Sequence, residues 1–261
     1  MSVFSLDGKV ALVTGGGKGI GKGISRAFGA AGAAVAVASR TEADVESVAK
    51  EINDSGGRAI SCPVDVTDFS QLPGLVDRTV SELGGLDILV NCAGGGYHWY
   101  AFTDTTVEMV EQAFHFTTAA VFELTRLAVP HLVQRPGASI INIGSVTVGT
   151  ASRGHLTYEV AKAGLTQMTK SLAADLGPKI RVNIIHPSAI ETEGLQQVLE
   201  ANPEMRASLA DRYRMRRIGT PTDIAGAAIY LASEAASWVT GISLDVNGGA
   251  VDESRNQFPD L

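Results

Sequence analysis

Cysteine is scarce in this chain. Two residues, Cys62 and Cys92, occur among 261, too few for a disulfide framework and not at the spacing of a metal-binding pair. The five histidines, His98, His115, His131, His155 and His186, show no paired ligand spacing, so no metal is expected. Net positive charge is also lacking: 21 Lys and Arg stand against 28 Asp and Glu, giving a formal charge of -7. That balance argues against a nucleic-acid surface but leaves room for a local basic site that meets a phosphorylated ligand. No uninterrupted apolar run is long enough to cross a bilayer, and Met1 to Asp7 has no basic stretch followed by an apolar core. The expectation is a cytoplasmic protein with no membrane partner. Repeats, low-complexity tracts and Pro- or Ser-rich linkers are absent, so one domain over 1–261 is the economical reading.

What is present is a regular alternation. Apolar runs of strand length fall at Val10 to Thr14, Ala34 to Ser39, Ala59 to Val64, Ile88 to Asn91, Ser139 to Ser145, Arg181 to His186 and Ser243 to Val246. Most are continuously apolar, as strands covered on both faces should be. Between them, Glu42 to Asp54 and Phe69 to Leu83 read as helices stopped by Gly56-Gly57 and Gly84-Gly85. Val107 to Leu132 reads as one long helix that must bend or end near Pro130. Thr157 to Leu176 is another, and Thr220-Pro221 starts a last one with Thr220 as N-cap. Alternation of this kind predicts a mostly parallel α/β sheet of about seven strands with helices on both faces. Ser188 to Gly219 has no confident strand and contains two predicted short helices, Gln196 to Glu200 and Pro203 to Arg212. A long excursion inside a compact domain suits a substrate lid, placed at about 188–219.

The first strand runs through Thr14-Gly15-Gly16-Gly17-Lys18-Gly19-Ile20-Gly21 into a helical segment starting near Ile20. A strand turning through glycines into a helix offers phosphate its backbone N–H groups and the positive end of a helix dipole. A tight strand-to-helix joint needs glycines too, so the loop alone does not decide. A second group of residues joins it: Asn91-Cys92-Ala93-Gly94 after the fourth strand, Ser145 after the fifth, and Tyr158 with Lys162 four positions later on the predicted helix. That spacing puts a phenol and an ammonium on one helix face.

The spacing T-G-x-x-x-G-x-G, with Ser145, Tyr158 and Lys162 in this order over residues 6 to 250, resembles the short-chain dehydrogenase/reductase family. The resemblance implies a single-domain Rossmann-type doubly wound parallel sheet and a nicotinamide cofactor held by the first glycine loop, through Gly15, Lys18, Gly19, Ile20 and Gly21. It implies Tyr158 as general acid/base, Lys162 as its electrostatic partner and a ligand of the nicotinamide ribose, and Ser145 as a hydrogen-bond donor to the substrate oxygen. Asp65 and Val66 would flank the adenine, Asn91, Ala93 and Gly94 would border the cofactor, and Pro187, Ile190 and Thr192 would contact its nicotinamide end. Asp65 and Asn91 serve equally well as strand-end caps. Two positions depart from the family pattern: Thr117 stands where an asparagine usually holds a relay water, and Ser188 follows Pro187 where glycine is common.

Charge predicts which dinucleotide. The second strand ends Ala38-Ser39-Arg40-Thr41 with no acid to bind ribose hydroxyls, and Lys18 adds a second cation, so Ser39, Arg40 and Lys18 point to the 2′-phosphate of NADP(H), with NAD(H) as the alternative. Tyr97, His98, Trp99, Tyr100 and Phe102 form an aromatic cluster near the expected cleft. With Leu195, Val198, Leu199, Met205 and Leu209 in the lid it suggests a hydrophobic, steroid-like ketone or secondary alcohol, unless these side chains simply pack loop and lid onto the core. Two rivals stand beside this reading. One is a 3-oxoacyl thioester reductase, for which Arg212, Arg214, Arg216 and Arg217 would meet an acidic carrier. The other is a non-catalytic dinucleotide-binding oligomer. Segments such as Phe122-Glu123-Leu124-Thr125 and Ala235-Ala236-Ser237-Trp238-Val239 resemble the 7α-hydroxysteroid dehydrogenase-like branch. The two long helices resemble those through which relatives form homodimers and homotetramers, and the tail Glu253 to Leu261 either reaches a neighbouring subunit or frays.

Overall fold

The computed structural model of the protein describes residues 2–95 and 100–249. Seven parallel strands, β1 Val10–Thr14, β2 Ala34–Ser39, β3 Arg58–Pro63, β4 Ile88–Asn91, β5 Ala138–Ile143, β6 Ile180–Pro187 and β7 Ser243–Val246, form one sheet in the order β3-β2-β1-β4-β5-β6-β7. The strand order reverses between β1 and β4, so the connections leave that pair in opposite directions and open a crevice at their carboxyl ends. β1, β4 and β5 are buried at every position, which is why they read as unbroken apolar runs.

Helices cover both faces. On one, α1 Gly19–Ala30, α2 Glu42–Asp54 and α9 Pro221–Ala232 pack through Ile24, Phe28, Val45, Val48, Ile224 and Leu231. On the other, α3 Leu72–Leu83, α5 Ala120–Leu132 and α6 Leu156–Leu176 pack through Leu72, Val76, Leu124, Leu132 and Ala173. α1 and α9 approach so closely that a Cβ on Gly23 would lie 2.6 Å from Cβ of Pro221. The start of α9 is fixed by a reciprocal cap between Thr220 and Asp223, as its sequence predicts. Arg217 grips the Asp223 carboxylate through two 2.7 Å hydrogen bonds and holds its pKa well below the usual carboxylate range.

Several elements differ from the sequence reading, β3 and β6 by one residue at their ends. The predicted helix Phe69 to Leu83 is a 3-10 turn, Phe69–Gln71, followed by α3, because Pro73 has no N–H to return to the preceding turn. The predicted single helix Val107 to Leu132 is α4 Val107–Phe114, a π turn His115–Ala119, and α5. Pro130 lies inside α5, two residues before its end. β5 stops at Ile143, two residues short of the predicted Ser145, which turns away to cap a short 3-10 segment, Val146–Gly149. Within 188–219 the two predicted short helices are α7 Glu193–Ala201, longer than Gln196 to Glu200, and α8 Pro203–Ala210, which ends two residues before Arg212. Tyr97, His98, Trp99 and the tail Glu253 to Leu261 lie outside the described residues.

The end of the sheet opposite the crevice is closed by one buried carboxylate. Asp87 Oδ2 accepts from Val10 N–H at 2.9 Å, and Arg135 donates to both carboxylate oxygens at 3.2 Å. Its backbone spans the same strands: Asp87 N–H donates to Val10 O, and Asp87 O accepts from Ser139 N–H. Removing the side chain strands a buried amide and a half-buried guanidinium. Asp87→Ala is therefore expected to lose about 3 kcal/mol of stability in urea unfolding, and a loss smaller than about 0.5 kcal/mol would show that the clamp is redundant.

Candidate active site

Every sequence-predicted site residue except those on the flanking helices follows the carboxyl end of a strand, around the β1/β4 crevice. The glycine loop leaves β1 at Thr14, whose Oγ1 donates to Val90 O at 3.3 Å and accepts from Cys92 N–H and Ala93 N–H, both at 3.1 Å. Loop and β4 end are thereby one unit. Gly15 has φ +65° and lies against Ala93, and a Cβ on Gly21 would sit 2.2 Å from Gly15 O, so the turn closes only without side chains. α1 has no acidic residue in its first turn and no side-chain cap. Its first amide, Gly19 N–H, donates instead to the carboxylate of Glu193 at 2.9 Å. An anionic oxygen already takes this donor, which is the chemistry by which a helix amino terminus receives a phosphate.

The region beside the glycine loop and the end of β2 holds more charge than the sequence suggests. Lys18 Nζ pairs with Asp44 Oδ2 at 3.0 Å, and a Cβ on Gly17 would lie 2.8 Å from Ser39 Oγ and 2.9 Å from Asp44 Cβ. Lys18, Ser39 and Asp44 thus border one spot, while Arg40 is exposed at the end of β2. Asp65 Oδ1 accepts from the Thr67 N–H and hydroxyl, at 2.9 and 2.7 Å, and those bonds hold its pKa below the usual range. One of its oxygens therefore serves as a turn cap. Val66 is buried behind it. Asn91 is buried, and its amide donates to Asn142 Oδ1 at 2.9 Å. Asn142 donates in turn to Thr169 Oγ1, also at 2.9 Å, so this amide relay ties β4 and β5 to α6.

At the other end, Tyr158 and Lys162 share one face of α6, with the ammonium 5.8 Å from the phenol ring centroid. Lys162 is buried, donates to Ile143 O at 2.7 Å, and lies 3.7 Å from where a Cβ on Gly94 would project. Burial without a carboxylate pulls its pKa from 10.5 down to about 8. Burial pushes the Cys92 thiol up to about 12, leaving it uncharged beside the ammonium. Ser145 Oγ accepts from Thr147 N–H at 3.3 Å and from the Thr147 hydroxyl at 3.0 Å. Its own proton is left to donate to a third group. Thr117 is buried at the centre of the π turn, but the hydroxyl that reaches α6 is that of Thr118, on Ala161 O at 3.0 Å.

Ser188 explains its own departure from glycine: Oγ donates to the Tyr213 hydroxyl at 2.9 Å, and Ala189 N–H donates to the same oxygen at 3.3 Å. Pro187 ends β6 in register with Val246, Ile190 bridges to Gly219, and Thr192 caps α7 against Gly19. Of the apolar lid residues, Leu199 is buried while Val198 and Met205 are exposed. Sequence reading missed Asp44, Glu193, Tyr213 and His186, which meets Ser145. Each reaches the site from a distant stretch of chain, and only Glu193, an acid beside a threonine N-cap, carried a local signal. Among the described residues, no cluster of three His, Cys, Asp or Glu side chains is placed to hold a metal ion, and no helix is long and apolar enough to cross a membrane.

Comparison with known proteins agrees with this geometry. A family model described as enoyl-(acyl carrier protein) reductase matches residues 15–251. An uncharacterized oxidoreductase of Mycobacterium tuberculosis is 41% identical over 262 residues, covering 100% of this chain and 97% of its own length. The 7α-hydroxysteroid dehydrogenase of Escherichia coli K12 is 39% identical over 249 residues, covering 95% of this chain and 96% of its own. A solved structure of a 7α-hydroxysteroid dehydrogenase complexed with NADH and 7-oxo glycochenodeoxycholic acid superimposes with a TM-score of 0.89 at 38% identity, over 97% of this chain and 98% of that one.

The buried ammonium has a measurable cost. A pKa lowered from 10.5 to about 8 corresponds to about 3 kcal/mol against folding wherever both states are protonated, that is, below about pH 8. Allowing for the lost bond to Ile143, Lys162→Met is expected to be about 2 kcal/mol more stable than wild type at pH 7. Between the two pKa values the unfolded chain keeps the proton and the folded chain does not, so wild-type stability rises with pH and the gap closes toward pH 10.5. Urea unfolding of both proteins at pH 7 and pH 10 checks this; a variant less stable than wild type at pH 7 contradicts it.

Proposed function

The chain belongs to the short-chain dehydrogenase/reductase family, oxidoreductases acting on hydroxyl groups, and from that premise we propose that it is an NADP(H)-dependent enzyme interconverting a ketone and a secondary alcohol on a hydrophobic, steroid-like substrate. The observation that carries the reading is the buried Lys162 ammonium beside the Tyr158 ring, with Ser145 two residues beyond the end of β5.

A bound nicotinamide dinucleotide supplies or accepts the hydride. In reduction, negative charge grows on the carbonyl oxygen, where the Ser145 hydroxyl donates a hydrogen bond and Tyr158 gives its proton. Lys162 favours the resulting phenolate by opposite charge, and its low-dielectric surroundings strengthen that effect. One of its three protons is held by Ile143 O, leaving two that would serve the ribose of a bound dinucleotide. In oxidation the phenolate of Tyr158 takes the hydroxyl proton. For a phosphate oxygen to take Gly19 N–H, Glu193 must release it.

NADP(H) is favoured by Lys18 and Arg40 and by the absence of an acid at the end of β2; the ion pair of Lys18 with Asp44 opposes it in part. A steroid-like substrate is supported by likeness to the E. coli 7α-hydroxysteroid dehydrogenase and by the exposed apolar lid residues. The second reading, reduction of a 3-oxoacyl thioester, is favoured by a 3-oxoacyl-[acyl-carrier-protein] reductase of Thermotoga maritima, 32% identical over 251 residues. It is weakened because Arg217 is committed to Asp223. Exposed Phe122, Leu156 and Val160 on α5 and α6 suit a homodimer or homotetramer.

Purified protein is expected to bind NADPH about tenfold more tightly than NADH at low salt, about 1.4 kcal/mol, and Arg40→Asp should erase the difference. NAD(H) binding at least as tight as NADP(H) would sink the cofactor assignment. Following NADPH absorbance against steroids, cyclic ketones, quinones and acyl thioesters should find turnover that Tyr158→Phe lowers by about 10²- to 10⁴-fold without weakening dinucleotide binding. Full activity in that variant, or turnover confined to carrier-bound thioesters, refutes the proposed mechanism or the proposed substrate respectively.

A further inference from the structure

His186 stands at the end of β6, one residue before Pro187, and is 2% exposed. Its Nδ1 lies 3.0 Å from the backbone nitrogen of Ser145. A backbone N–H can only donate, so Nδ1 must carry the lone pair and the ring must be neutral with its proton on Nε2. The ring fills the space over Gly144, where a Cβ would meet Nδ1 at 2.3 Å and Cε1 at 2.5 Å. Gly144 is therefore the position that admits the imidazole, and its own N–H continues the ladder to Ile185 O at 2.7 Å. From Gly144 to Ser145 the hydrogen bonding of β5 passes from the backbone of β6 to a side chain of β6.

The handover comes where the chain leaves the sheet. Ser145 turns to φ −164° and ψ 147° and caps the segment Val146–Gly149. Among the described residues, two hydrogen bonds beyond Ile143 tie this corner to β6, Gly144 N–H to Ile185 O and Ser145 N–H to His186 Nδ1. We propose that His186 is a positioning residue: its Nδ1, as acceptor from Ser145 N–H, fixes the backbone from which the Ser145 hydroxyl is presented to the substrate oxygen. This rests on the proposed dehydrogenase reading for the role of the hydroxyl, while the hydrogen bond and tautomer stand independently of it.

The arrangement is sensitive to protonation. A doubly protonated ring would set an N–H of Nδ1 against the N–H of Ser145, donor facing donor. The charged groups that face the ring are Asp245 from β7, which favours its protonation, and Lys162 and Lys170 from α6, which oppose it. Burial is the largest influence and lowers the pKa from 6.5, so the ring stays neutral at pH 7 and the serine is held there. Below that range the hydrogen bond is lost.

The test uses two substitutions of similar volume and branching. Asn places an amide oxygen where Nδ1 stood; Leu places a methyl group there. His186→Asn is expected to keep kcat within about threefold of wild type at pH 7.5, and His186→Leu to lose about tenfold or more, with dinucleotide affinity by fluorescence unchanged in both. Wild-type kcat should fall on the acid side as the imidazole protonates, and that limb should be missing from the Asn variant. Long-range ¹H–¹⁵N spectra of the wild-type protein should show His186 protonated at Nε2 alone at pH 7.5. Equal kcat in the Asn and Leu variants, or a spectrum with the proton on Nδ1, overturns the inference. A wild-type protein that shows the expected tautomer but turns over no substrate overturns the dehydrogenase reading instead.

Discussion

One threonine hydroxyl at the point where the strand order reverses carries much of the site. Thr14 Oγ1 spends its proton on Val90 O and accepts two amides from the end of β4, at 2% exposure. A buried hydroxyl with donor and lone pairs all engaged is costly to disturb. It joins the glycine loop after β1 to the Cys92-Ala93-Gly94 turn after β4, two loops that the topology would otherwise send apart on opposite sides of the crevice. Gly15 then lies so close to Ala93 that an added Cβ would be 3.0 Å from its backbone, while Gly94 comes into ordinary contact range of Lys162. The pairing of β1 with β4 sets the register, and the Thr14 hydroxyl carries it beyond the strand ends into the two loops of the proposed cofactor site.

Around the reacting end the protein accepts an electrostatic penalty. Lys162 is buried with a carbonyl for company, and the Cys92 thiol, whose charge would raise its pKa, stays neutral because burial raises the thiol's own pKa. A carboxylate partner would restore the ordinary lysine pKa and would also neutralise the field that favours phenolate at Tyr158. The cost in stability and the use in chemistry thus have one source. The π turn at His115–Ala119 contributes to the same region: the extra residue it inserts lets Thr118 bond Ala161 O, next to Lys162, while Thr117 stays buried.

The sheet, its seven strands and the order of site residues were legible because doubly covered parallel strands leave unbroken apolar runs, and four of the strands, β1, β2, β4 and β7, have the boundaries their composition predicts. Ser145, Tyr158 and Lys162 were legible as a pattern, and the structure brings Tyr158 and Lys162 to one face of α6. The π turn was not legible, since Phe114-His115-Phe116-Thr117 keeps helical periodicity and the break is set by contact with α6. Nor were the partners drawn from far along the chain. Ser188 reads as a departure from glycine until Tyr213, 25 residues on, supplies its hydrogen bond. His186 reads as one histidine among five until the fold lays it over Gly144.

The same holds for charge at the cofactor end, where composition alone shows two cations and no acid. α1 presents an uncapped amino terminus with no acidic residue in its first turn, and Lys18 adds a full charge beside it. So much positive potential in one loop is unfavourable without an anion, and the fold provides two from separate elements: Asp44 of α2 on Lys18 and Glu193 of α7 on Gly19 N–H. A phosphate-bearing ligand does not meet a bare cradle; it exchanges with carboxylates already there, and its affinity is the difference between the two sets of contacts. The exchange is unequal at the two places. Asp44 holds Lys18, so under the NADP(H) proposal it competes with a 2′-phosphate for that cation and the preference between the two dinucleotides rests on Arg40. Glu193 is the first residue of α7, so any anion that takes Gly19 N–H from it also releases a contact between the glycine loop and that helix.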